Sequence, residues 1–148
     1  MAKDVHFQDP VEYCKFAAVE AFKICHETIG YCLRKGGEHA RASLIQLLCD
    51  AAEINQVMAA ALARGSVNYK RIGQVCMEIS ALCANACESL SNEDKQLKVC
   101  YAASLASTIA CGRLLGAIQE DESEQAFYDR IIEETFPASD PPPGVAMV

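Results

Sequence analysis

Small apolar residues and cysteines recur along the chain at the spacing of an α-helix, in four segments separated by glycine, serine or Asp-Pro pairs. The segments have nearly equal lengths, and only two or three residues connect them. Equal helices with short connections favour antiparallel neighbours. The sequence therefore predicts an all-α protein, an up-down-up-down four-helix bundle. The predicted helices span residues 10–35, 38–64, 67–90 and 92–119 approximately.

Residues typical of helix ends define these boundaries. An Asp-Pro pair suits the cap and first residue of a helix, glycine suits its end, and serine suits the cap of the next helix. The residues used are Asp9 and Pro10 for the first helix, Gly36 and Gly37 for its end, Gly65 for the end of the second, Ser66 as the cap of the third, and Ser91 with Asp94 for the start of the fourth.

The last part of the chain differs in character from the four segments. Ser123 to Thr135 has the pattern of a short amphipathic helix, and the prolines from Pro137 onward exclude further helix. We therefore divide the chain into a cysteine-rich bundle at 1–119 and a short helix with an extended, Pro-rich tail at 120–148.

Nine cysteines are the main candidates for chemistry. At 100° per residue, eight of them project as three narrow stripes on the first, third and fourth helices, which predicts that they face the bundle axis. Only Cys49 stands alone on its helix. The stripes consist of Cys14, Cys25 and Cys32, then Cys76, Cys83 and Cys87, then Cys100 and Cys111.

Antiparallel pairing also predicts the height of each cysteine, because residues equidistant from a loop lie at the same level. The central layer is predicted to contain one cysteine from each helix: Cys25, Cys49, Cys83 and Cys100. Cys32 and Cys87 are predicted nearer one end, and Cys14, Cys76 and Cys111 nearer the other.

Buried thiols that converge suit a soft metal, since thiolates prefer Cu(I), zinc or iron–sulfur clusters. A central layer of four cysteines would satisfy tetrahedral zinc, but the C-x₂-C pairs usual for zinc and iron–sulfur sites are missing. Ladders of thiols on rigid helices offer two or three ligands to an ion, which Cu(I) accepts. The alternative is that the cysteines are small buried apolar residues in a metal-free structural or interaction protein.

Composition and motifs exclude other classes. The net charge of −7 and the pI near 4.9 argue against nucleic-acid binding. Neither a secretory h-region nor a run of about 18 apolar residues is present, so we expect a cytoplasmic protein with reduced thiols and no membrane partner. Common phosphate-binding and hydrolase motifs are absent, so we do not expect an enzyme.

Three segments resemble the copper storage proteins, cysteine-rich four-helix bundles that bind many Cu(I) ions: "YCKFAAVEAFKICHETIGYCLRK", "HARASLIQLLCDAAEI" and "VCMEISALCANACESL". The resemblance covers about residues 11–115 and implies cytosolic Cu(I) storage or buffering. It implies ligands at Cys25, Cys32, Cys49, Cys83 and Cys87, and matches the helical phase of Cys14, Cys76, Cys100 and Cys111.

The chain departs from that family in having about half the thiols. Thr28, Ser80 and one or more of Ala103, Ser104 and Ser107 stand where the family pattern has cysteine. The resemblance therefore implies a store of limited capacity, or a relative that keeps the bundle without the metal.

Two further features concern contacts. Gly112 and Gly116 form a G-x₃-G pair, which permits close helix packing within or between subunits, and we expect a homo-oligomer. "EETFPASDPPP" resembles a short motif of small bacterial proteins. Phe136 and the prolines that follow it are candidates for docking on a partner or a neighbouring subunit.

Overall fold

The computed structural model describes residues 9–135, and this part of the chain is helical with no strand. A short 3-10 helix, Gly37–Ala40, separates the first two long helices. The α-helices are α1 Pro10–Lys35, α2 Ala42–Ala63, α3 Tyr69–Leu90, α4 Lys95–Leu114 and α5 Glu124–Thr135.

Helices α1 to α4 form the predicted antiparallel bundle. Helix α1 packs against α2 and α4, and α3 packs against α4 and α2, so neighbours along the chain are neighbours in space. Short connections leave consecutive helices no other arrangement than side by side. The all-α prediction and the four-helix bundle are confirmed.

The start of α1 agrees with the prediction. The Asp9 carboxylate accepts a hydrogen bond from the Val11 amide at 2.9 Å, and Pro10 is the first helical residue. Helix α2, however, begins at Ala42 instead of residue 38, because the chain after Gly36 first makes the 3-10 turn.

Two serines act differently from the prediction. The Ser66 hydroxyl accepts from the Asn68 amide at 3.1 Å within the turn, and α3 begins only at Tyr69. The Ser91 hydroxyl donates to the Glu88 carbonyl at 3.0 Å, which closes α3 instead of opening α4. Asp94 is the cap of α4.

Helix α4 ends at Leu114, short of the predicted residue 119. Gly116 has a φ of +68°, a left-handed conformation that ends helices and favours glycine. The chain then turns back, and the Ser123 hydroxyl accepts from the Ala126 amide at 3.1 Å at the start of α5.

Helix α5 packs against α3 and α4 and buries Phe127, Tyr128 and Ile131. A Cβ atom on Gly112 would lie 2.5 Å from the Phe127 ring. The close contact predicted for the glycine pair is thus made at Gly112, within the chain. The division of the chain at residue 119 stays a prediction, and the proposed docking tail lies outside the described residues.

Many of the side chains that face the bundle interior are small. None of the eight stripe cysteines has exposed surface. Small residues at a similar helical phase are buried as well: Ala18, Ala21, Thr28, Ser80, Ser104 and Ser107. The stripes therefore face the interior, as their phase predicted. No described helix is long and apolar enough to cross a bilayer.

Candidate metal site

Three cysteine sulfurs from three different helices meet in the bundle core. Cys25 of α1, Cys83 of α3 and Cys100 of α4 place their Sγ atoms within 4.8 Å of one another, and all three side chains are fully buried. The Sγ atoms of Cys25 and Cys100 are 4.0 Å apart. The Ser104 hydroxyl, one turn after Cys100, donates to the Cys83 sulfur at 3.5 Å.

The three thiols influence one another's ionisation. Hydrogen bonds from Cys25, Cys83 and Cys87 hold the pKa of Cys100 below its ordinary value, against the opposing effect of burial. Hydrogen bonds with Cys100 and Cys83, followed by burial, raise the pKa of Cys25. A thiol that donates to a thiolate keeps its own proton, so the arrangement favours one thiolate among several thiols.

Two further cysteines extend this site toward the end of the bundle that contains Gly36. Hydrogen bonds with Cys100 and Cys83 raise the pKa of Cys87, whose side chain is fully buried. Burial raises the pKa of Cys32 to about 11, and the charges of Cys100 and Asp94 add to this. We call Cys25, Cys83, Cys87 and Cys100 the first thiol group.

A second thiol group lies toward the other end, as predicted from the helix levels. It consists of Cys14, Cys76 and Cys111, all fully buried. The Sγ atoms of Cys14 and Cys111 are 3.7 Å apart. Hydrogen bonds with Cys14 and Cys76 raise the pKa of Cys111.

Cys49 does not join the predicted central layer. Its side chain is half-buried, and the group of three sulfurs within 4.8 Å does not include it. Helix α2 instead turns Leu48 and Asn55 inward, and Cys49 lies about 100° around the helix from Leu48. A single cysteine on a helix forms no periodic pattern that would show which way it faces. The predicted four-cysteine layer was therefore wrong for Cys49.

Asn55 is a core residue that the sequence interpretation missed. Its side-chain amide donates to the Ala51 carbonyl at 2.8 Å and to the Ser80 hydroxyl at 3.0 Å. Its Oδ1 accepts from the Ser107 hydroxyl at 2.6 Å and from the Cys76 thiol at 3.3 Å. An asparagine at the helical phase of Leu48 was the available signal.

The spacing of the Cys25, Cys83 and Cys100 sulfurs suits a metal ion bound by all three. A metal–thiolate bond of about 2.3 Å, the zinc value, separates the sulfurs of a trigonal site by about 4.0 Å. The Cys25–Cys100 distance of 4.0 Å already equals this separation. Among the described residues, no fourth His, Cys, Asp or Glu ligand atom lies within 4.8 Å of all three sulfurs.

Asp94 organises the end of the bundle next to Cys32. Its Oδ1 accepts from the Leu97 amide at 3.0 Å as the cap of α4. Its Oδ2 accepts from the Tyr31 hydroxyl at 2.7 Å and contacts Lys35 Nζ at 3.1 Å and His39 Nε2 at 3.0 Å. One carboxylate thus joins the end of α1, the 3-10 helix and the start of α4.

The acid stability of the protein is expected to depend on Asp94. Burial alone would raise the pKa of this carboxyl, but its hydrogen bonds lower the pKa below the ordinary value. A depressed folded-state pKa stabilises above the unfolded value near 4, and this stabilisation is lost as the pH falls below about 5. Asp94→Asn should cost about 1–2 kcal/mol at pH 7 and weaken the fall in stability between pH 6 and 3, measured by urea unfolding.

The matched control is Asp50→Asn, which changes an exposed carboxylate of α2. We expect it to alter the free energy of unfolding by less than about 0.5 kcal/mol. Glu122, whose pKa is lowered to about 2 by hydrogen bonds from Arg130 and the Gln119 amide, keeps part of the acid dependence in both variants. Equal pH profiles for Asp94→Asn and the unmodified protein would contradict the role given to Asp94.

Comparisons with known proteins place this geometry in context. The chain superimposes on the Cu(I)-bound copper storage protein BsCsp3 with a TM-score of 0.67 and 21% identity, over 72% of this chain and 99% of that one. It superimposes on the Nmul_A1745 protein from Nitrosospira multiformis with a TM-score of 0.60 and 25% identity, over 70% and 96% of the two chains. No curated protein matches the sequence. The family model for copper storage proteins matches residues 7–116, and the chain belongs to this family.

Proposed function

We propose that the protein binds and stores Cu(I) through the thiolates of its bundle core, with a limited capacity. The observation that carries this proposal is the convergence of Cys25, Cys83 and Cys100, with sulfurs within 4.8 Å of one another in a fully buried site. Membership in the copper storage protein family supports it.

The chemistry of the ligand set favours a soft ion held by two or three sulfurs. Thiolate sulfur is the donor that Cu(I) prefers. Each thiol that binds releases its proton to solvent, so affinity should fall as the pH falls. All four cysteines of the first thiol group are fully buried, so an ion that exchanges one of these sulfurs for another stays shielded from water.

Structural zinc is the less suitable cargo. Zinc in structural sites takes four tetrahedral ligands, and Cys49, the predicted fourth, stays apart from the three convergent sulfurs.

All nine cysteines are free, with one Sγ pair at 3.7 Å. We therefore propose that the protein works in a reducing compartment, the cytoplasm, where such pairs stay reduced. The homo-oligomer stays a prediction.

Anaerobic titration with Cu(I) against a competing chelator tests the proposal. The unmodified protein should take up several tightly bound ions. The variant Cys25→Ser/Cys83→Ser/Cys100→Ser should lose at least one of these tightly bound ions, because the hydroxyl oxygens of the introduced serines bind Cu(I) poorly. Cys49→Ser is the matched control and should keep the full uptake.

Two results would contradict Cu(I) storage. One is an unmodified protein that takes up no Cu(I) from the chelator. The other is a protein that binds a single zinc ion tightly and gains no copper beyond one equivalent.

A further inference from the structure

A layer of oxygen- and nitrogen-bearing side chains crosses the core between the two thiol groups. Asn55 of α2, Ser80 of α3 and Ser107 of α4 form this polar layer, and none of them has exposed surface. Asn55 bonds to both serines, so the layer connects three of the four bundle helices.

The polar layer is held rigidly because Asn55 is fully satisfied. Its two amide hydrogens are donated to the Ala51 carbonyl and to Ser80, and its oxygen accepts from Ser107 and Cys76. A side-chain amide has four hydrogen-bonding positions, two N–H donors and two oxygen lone pairs, and all four are used here. Breaking either of the bonds that its amide donates would leave a buried N–H unpaired, which is costly.

Distances along the helices keep the two thiol groups apart. Cys14 and Cys25 are separated by about 16 Å along α1, and Cys76 and Cys83 by about 10 Å along α3. A single ion bridges two sulfurs that lie at most about 4.6 Å apart, twice a metal–sulfur bond. The segments of α1, α3 and α4 between the two thiol groups contain no further cysteine, and Ser80 and Ser107 of these segments are fully buried, as is Asn55 of α2.

Hydroxyl and amide oxygens are poor ligands for a soft ion such as Cu(I), which prefers sulfur. We propose that the polar layer around Asn55 divides the core into two separate copper compartments, the first and second thiol groups, which load and release ions independently of each other. This inference rests on the proposed function. Ions in one compartment reach the other only by leaving the core.

The test compares two variants in anaerobic Cu(I) titrations with a competing chelator. One lacks Cys25, Cys83 and Cys100, and the other lacks Cys14, Cys76 and Cys111, each replaced by serine. The ions held by the two variants are summed, and those bound by any site that both variants keep are subtracted once, because that site is counted twice. The result should equal the total bound by the unmodified protein. The dissociation constant of each remaining group should match the unmodified protein within about twofold, since changes more than about 7–10 Å apart usually add.

Far-UV circular dichroism establishes whether each triple variant folds. Where one does not, the single variants Cys100→Ser and Cys111→Ser and their double variant replace it, and their effects on Cu(I) affinity should multiply within about twofold. A tenfold or larger change in the affinity of one group on removal of the other would overturn the two-compartment inference alone. Absence of Cu(I) uptake by the unmodified protein would overturn the proposed function as well.

Discussion

Loading with Cu(I) is expected to raise the thermal unfolding midpoint by up to about 8–16 °C for each tightly held ion. A ligand present at about 1,000 times its dissociation constant adds about 4 kcal/mol to the stability of the folded state. For a domain of this size, each kcal/mol moves the midpoint by about 2–4 °C. The thiols of the unfolded chain also bind Cu(I), which makes the figure an upper value. Differential scanning calorimetry under anaerobic conditions measures the shift.

Two cysteine variants show which sulfurs hold the copper that causes this shift. Cys49→Ser should show the full shift, because its sulfur lies outside the convergent set. Cys25→Ser/Cys83→Ser/Cys100→Ser should lose the part that the first thiol group supplies. Removing the metal with an excess of chelator should return each protein to its metal-free midpoint. An unchanged midpoint for the unmodified protein on loading would contradict tight binding in the folded core.

Replacing Phe127 with alanine is expected to destabilise the protein by about 3–5 kcal/mol, the usual cost of removing a buried phenylalanine ring. Phe127 has no exposed surface and packs directly over Gly112. The Arg130 guanidinium lies 5.4 Å from the centre of its ring. Truncation would leave a cavity between α4 and α5 that the glycine backbone cannot fill. Urea unfolding followed by circular dichroism measures the loss.

Leu33→Ala is the control for this change, because Leu33 is 57% exposed and its truncation leaves no cavity. It should alter the free energy of unfolding by less than about 0.5 kcal/mol. If Phe127→Ala were no more costly than Leu33→Ala, α5 would not be an integral part of the folded core.

Much of the site was predictable from local pattern. The stripe cysteines recur at helical spacing, and a residue's direction around a helix depends only on its distance along the chain from its neighbours. This is why the burial of Cys14, Cys25 and Cys32 on α1 followed from their positions alone. Short loops also fix the level at which antiparallel helices pair, and this brought Cys25 and Cys100 together as predicted.

The same reasoning failed for Cys49 because level does not determine rotation. On α2 the direction of the core was decided by how Leu48 and Asn55 pack against the other helices. The start of α2 and the end of α4 were also misplaced, since turn conformations such as the positive φ of Gly116 depend on the direction the chain takes after the helix.

By itself, then, the sequence determined the number of bundle helices, their antiparallel order and the inward phase of eight cysteines, because helical periodicity and loop length are local properties. Only the tertiary structure decided that Cys49 stays outside the convergent sulfurs and that Asn55 lies in the core. Asp94 bonds to Tyr31, 63 residues earlier, and Asn55 bonds to Ser107, 52 residues later. Such contacts join side chains from different helices, and their geometry exists only once those helices have packed.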